Sequence, residues 1–120
     1  MEDRISFVTH HGKSIMVIDF SHLEPKDLLL LLELVQNTVA RHKRSSLLTL
    51  ADLTGAHVDR DVATRMKEVL VRDRPFVKRS AWIGVESVPK VYYENIKSFS
   101  QRDFPPFKTR AEAMDWLVED

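Results

Sequence analysis

At 120 residues the chain has room for one domain, spanning 1–120, since domains most often hold about 100–150 residues. An apolar share of 43% with 30% charged residues excludes extended disorder, and the lack of Cys removes disulfides, thiolate zinc sites and cysteine nucleophiles together. Eighteen basic residues balance eighteen acidic ones, 7 against 8 in residues 1–60 and 11 against 10 in 61–120, so no nucleic-acid partner is expected.

In chain order, Ile5–Val8 and Ser14–Phe20 are β-rich runs around His11-Gly12-Lys13, a predicted hairpin. Within the second run Ile15-Met16-Val17-Ile18 is continuously apolar, as a strand covered on both faces should be. Glu24-Pro25-Lys26-Asp27 opens a helix, with Pro at a first position and acid in the first turn. Its apolar residues recur at 28, 31, 32, 35 and 39, and Arg41-His42-Lys43-Arg44 is expected to close it with cations at the negative end. Leu47–Leu50 is a further buried strand, running into Asp52-Leu53-Thr54-Gly55.

Asp59 is the expected N-cap of a second helix carrying Val62, Met66, Val69 and Leu70 at helical spacing, and Pro75 stops it. Val77–Val85 is the next strand, with Ala81, Ile83 and Val85 on one face. Pro89 opens a third helix with Tyr92, Ile96 and Phe99 on one stripe. The proline-constrained Phe104–Lys108 suits an edge strand. Thr109-Arg110-Ala111-Glu112 is a capping box for a last helix whose apolar side is Met114, Trp116, Leu117 and Val118. The order ββαβαβαβα predicts an α/β fold with a mixed, mostly parallel sheet, joined by right-handed crossovers and covered by helices on at least one face.

Three stretches carry a likeness: Leu50-Ala51-Asp52-Leu53-Thr54-Gly55, Arg74-Pro75-Phe76-Val77-Lys78-Arg79-Ser80-Ala81, and Phe107-Lys108-Thr109-Arg110-Ala111-Glu112-Ala113-Met114-Asp115-Trp116-Leu117. With the element order, the chain resembles the STAS domain, and more closely its SpoIIAA-like branch, often grouped with lipid-exchanging CRAL-TRIO folds. The resemblance implies a STAS-like fold and no catalytic motif. Anti-sigma-factor antagonists of that family place a phosphorylatable Ser at the start of the helix after the third strand. This chain has Asp59-Arg60-Asp61 there, so the phospho-switch is not carried over.

Chemistry-bearing patterns are sparse. There is no Gly-x-Ser-x-Gly elbow, and three isolated glycines build neither a Walker loop nor a dinucleotide fingerprint. His10 and His11 lack the i, i+4 spacing of a helical metal pair, and as strand neighbours their rings would point to opposite faces, so no metal site is expected. No cofactor is expected. The basic residues Arg72, Arg74, Lys78 and Arg79 flank a predicted strand, where solvated charge is ordinary. The longest apolar run, Leu28–Leu32, is far short of the roughly 20 residues that cross a bilayer. Met1-Glu2-Asp3-Arg4 lacks the basic start of a signal peptide, so a cytoplasmic location is expected.

What remains is location. In open α/β sheets ligands gather outside the carboxyl ends of the strands, at a topological switch point. Those ends are Asp52-Leu53-Thr54-Gly55 and Gly84-Val85-Glu86-Ser87, with Trp82, Tyr92, Tyr93 and Ile96 as apolar lining. The candidate ligand-binding set is therefore Asp52, Thr54, Gly55, Trp82, Tyr92, Tyr93 and Ile96. The leading expectation is a non-enzymatic STAS-like regulatory or protein-interaction module, self-associating as a homodimer or meeting a regulatory protein. The alternative is a binder or carrier of a lipid-like apolar molecule, in a cavity between the Leu-rich first helix and Tyr92, Ile96 and Phe99. An enzyme is a third reading, resting on Asp52, Thr54 and His57 around one loop with His57 as base.

Overall fold

Ile15-Met16-Val17-Ile18 lies inside a five-stranded sheet with helices on both sides, which is why it carries no polar alternation; its four residues are all buried. The computed structural model describes residues 1–101 and 104–120. Its elements are β1 (Ile5–His10), β2 (Lys13–Asp19), α1 (Pro25–Val39), β3 (Leu47–Asp52), α2 (Arg60–Asp73), β4 (Val77–Ile83), α3 (Lys90–Ser100), β5 (Pro106–Phe107) and α4 (Arg110–Leu117). The spatial order is β1-β2-β3-β4-β5. β1 runs antiparallel to β2, and every later pairing is parallel. This is the α/β architecture and element order that the sequence predicts.

Strand alternation divides the core into two layers. Met16, Ile18, Ala51 and Trp82 face α1, α2 and α3, whose buried residues include Leu28, Leu31, Val62, Met66 and Ile96. Ile15, Val17, Leu50 and Ala81 face the other way, onto Ala113 and Leu117 of α4. Each Val, Leu, Ile or Met side chain among them contributes about 1.5–3 kcal/mol when fully buried, so both layers hold the sheet in place. The helix signals act as expected. Asp59 Oδ1 accepts the Val62 N–H at 2.9 Å, and Thr109 Oγ1 accepts the Glu112 N–H at 3.2 Å.

Three expectations give way. α1 ends at Val39, and Arg41-His42-Lys43-Arg44 lies in the turn beyond it. At the helix end the His42 ring lies 2.9 Å, through Nδ1, from the Thr38 carbonyl. β4 stops at Ile83 because Gly84 turns left-handed (φ 72°), so Val85 leaves the Ala81–Ile83 face and packs on the three-helix core. Phe99 is 60% exposed, with the Lys67 ammonium 5.7 Å above its ring, and Ile96 alone fills the buried position of that stripe. Among the described residues no helix is long and apolar enough to cross a membrane.

Candidate functional site

The carboxyl ends of β3 and β4 are filled by their own loops. Asp52 is half-buried, and its Oδ1 accepts the Thr54 N–H at 3.0 Å, a turn contact. The carbonyls of Asp52 and Thr54 accept the N–H groups of Phe20 and His22, each at 2.9 Å. From the other side Leu53 N–H donates to the Ile83 carbonyl (2.9 Å) and Gly55 N–H to Ser87 Oγ (2.7 Å). Gly55 and Gly84 are both left-handed, and each has a neighbour where a Cβ would stand. At Gly55 that atom would lie 2.6 Å from Cε1 of His22, and at Gly84 2.7 Å from Cα of Thr54.

The strand order supplies the reason. A crevice at the carboxyl ends opens where the strand sequence reverses direction and neighbouring loops diverge to opposite faces. Here β2 to β5 advance one way, their three crossover helices share one face, and no reversal separates the loops. Among the described residues the switch point assumed from sequence is absent. At the neighbouring strand end, partial burial pushes the Asp19 carboxyl up. Hydrogen bonds from the Ser21 hydroxyl and N–H, with Arg4 and Arg110 nearby, outweigh that and hold it below the ordinary carboxylate range. Arg4 completes this corner by donating to the Ser21 carbonyl at 2.9 Å.

The candidate residues separate into two groups. Asp52, Thr54 and Gly55 meet Phe20, His22 and Ser87 in the packed loops. Trp82 and Tyr93 instead surround Phe104, which stacks on Trp82 at 4.4 Å and meets Tyr93 edge-on at 5.9 Å. Ile96 is fully buried and Tyr92 packs against the same core. A cavity of about 40 Å³ lies between the sheet and α1 and α2, walled by Ile18, Leu32, Val35, Met66, Val69 and Trp82. Thr49 and Ser80, whose hydroxyls are 2.7 Å apart, give it a polar side. Its far wall is α2, whereas the sequence placed it against Tyr92, Ile96 and Phe99 of α3. Ligand pockets run about 300–1,000 Å³, so this space suits a few water molecules.

The remaining reactive groups are engaged elsewhere. His57 is exposed, and its Nδ1 lies 2.8 Å from Glu24. Asp59 caps α2, and Thr64 in its first turns donates its hydroxyl to the Arg60 carbonyl at 3.0 Å. Arg79 donates to the Trp116 carbonyl at 2.8 Å and lies over that indole at 4.2 Å, so it closes the end of α4.

Two features escape the sequence reading. One is the outer side of β1, which among the described residues has no strand beside it. Phe7 is 48% exposed there, stacked on His42 at 5.5 Å, and α1 flanks the same edge with Leu30, 50% exposed, and Leu34 beside Met1. The signal was the apolar Leu30, which falls outside the buried stripe of α1. The other is a convergence of His10, His11 and Asp115. The two imidazoles were expected on opposite faces, yet their centroids are 4.3 Å apart. His11 is in the turn with φ 49°, and that left-handed backbone turns its ring back toward His10.

No family model matches the sequence, and no curated protein matches it. Two solved structures are similar along nearly the whole chain. One is an uncharacterized protein of the DUF3478 family with a SpoIIAA-like fold from Shewanella loihica PV-4, at TM-score 0.71 and 19% identity, covering 95% of this chain and 92% of that one. The other is an anti-sigma-factor antagonist (STAS) domain protein from Planctomyces limnophilus, at TM-score 0.62 and 15% identity, covering 96% and 98%. The chain has the SpoIIAA-like fold of STAS domains.

Proposed function

We propose that the chain is a non-enzymatic regulatory or interaction module that associates with a second copy of itself along β1. The similarity to a protein described as an anti-sigma-factor antagonist supports the regulatory class. The observation that carries the reading is the contrast between the two sheet edges. β5 is two residues long and begins at Pro106 after Pro105, so it offers little backbone for pairing. β1 pairs with β2 over six consecutive residues without a bulge, contains no Pro or Lys, and presents Phe7. A long unprotected edge of this kind is a template for another strand.

Closure on itself favours a two-fold arrangement. Glu2 and Asp3 precede β1, and Glu33 of α1 lies beside them. Arg41, Lys43 and Arg44 flank His42, the residue stacked on Phe7. Antiparallel pairing of two β1 strands is an isologous contact that closes on itself. The lipid-like alternative would require α1 and α2 to part around a cavity of about 40 Å³.

Sedimentation velocity across a wide concentration range tests the reading. Wild-type protein should pass from monomer to dimer, and Phe7→Lys should weaken the dimer tenfold or more while the circular dichroism spectrum stays unchanged. A monomer at every concentration, or a dimer indifferent to Phe7→Lys, would defeat the proposal.

A further inference from the structure

The hairpin turn His11-Gly12 has positive φ at both residues, 49° and 79°, the pattern of a type I′ turn. His tolerates that conformation better than most side chains. On the covered side α4 brings Asp115 to the same place. His10 Nε2 lies 2.7 Å and His11 Nε2 3.7 Å from Asp115 Oδ1, and the three donor atoms are all within 4.8 Å of one another. In a tetrahedral site with bonds of about 2.0–2.1 Å, donors lie about 3.3 Å apart, so side-chain rotations alone would complete the geometry.

We propose that His10, His11 and Asp115 form a surface site for a divalent transition-metal ion of the imidazole-preferring class, such as Zn²⁺, that clasps α4 to the β1–β2 hairpin. Two nitrogens and one carboxylate oxygen match that class and not Mg²⁺ or Ca²⁺, which take oxygen ligands. His11 is 70% and Asp115 65% exposed, so the ion enters from solvent and water completes its shell. Both imidazoles coordinate through Nε2 with the proton on Nδ1, and the ion displaces any proton shared between His10 and Asp115 to solvent. The clasp adds to contacts already holding this end of the chain, where Lys13 Nζ donates to the Val118 carbonyl at 2.9 Å and to Asp120 at 2.7 Å.

Zn²⁺ titrated into the full chain and followed by calorimetry should fill one site per chain. The melting temperature should rise by about 10 °C at ion concentrations about a hundredfold above the dissociation constant, and Mg²⁺ should leave it unchanged. His11→Asn keeps a residue suited to the turn, so its metal-free melting temperature should match wild type while its Zn²⁺ affinity falls tenfold or more. Asp115→Asn should lower the affinity comparably. Zn²⁺ binding that survives both substitutions, or no Zn²⁺-dependent rise in wild type, overturns the assignment. Because stability and ion uptake are read within one chain, failure here would leave the β1 association standing, and failure of that association would leave this site.

Discussion

At the carboxyl end of the sheet, backbone groups that could have greeted a ligand are already engaged: the Gly55 N–H by the Ser87 hydroxyl, the His22 N–H by the Thr54 carbonyl, the Leu53 N–H by the Ile83 carbonyl. Along β1 the reverse holds, and a six-residue strand with an exposed phenylalanine runs beside an apolar strip of α1. The difference follows from topology. When strands advance in one direction their crossovers share a face and the loops at the carboxyl end pack side by side. A sheet that never closes on itself must still end somewhere, and its first strand is the one left open. Residue types commonly linked to binding, Asp, Thr and Gly at a strand end, serve packing here, while the surface open to a partner is built from Phe, Leu and backbone.

The largest effect that would sharpen this contrast is at Gly84. Gly84→Val puts a branched side chain against Thr54 in a left-handed backbone, combining about 1–3 kcal/mol of conformational strain with about 1–3 of overpacking. Thermal unfolding should therefore move down by about 10 °C or more. A melting temperature within a degree or two of wild type would mean that the two loops are not packed as described.

A smaller effect is expected at Asp19 in the same corner. Its carboxyl is held below the ordinary range, so the folded state binds that proton less readily than the unfolded chain. The stabilisation is fully present above the unfolded value of about 3.9 and is lost as pH falls through the lower folded value. Asp19→Asn should thus be less stable than wild type at neutral pH, with the gap narrowing as the pH drops below about 4. A gap constant from pH 7 to pH 3 would remove Asp19 from the account.

Much of the architecture was legible in the residues. The run Ile15-Met16-Val17-Ile18 announces a doubly covered strand, Asp59 and Thr109 announce helix starts, and Pro75 a helix stop. These signals are local, arising from backbone donors and side-chain periods within a few residues. The site was less legible because it depends on what distant segments do. Nothing near Gly84 tells that Thr54 will occupy the space a Cβ would need. His10 and His11 read as divergent on strand geometry, and only the left-handed turn together with the docking of α4, over a hundred residues away, gathers them around Asp115. Phe99 fits a helical stripe, yet α3 leaves it in solvent beside Lys67.

Backbone hydrogen exchange of β1, compared at dilute and concentrated protein, tests the central claim most directly. Pairing along this edge buries the outward N–H groups of Ile5–His10, so their exchange should slow with rising concentration while the amides of β5 stay as they are. Exchange in β1 that is independent of concentration, or protection that appears at β5 instead, would contradict the assignment of β1 as the docking edge.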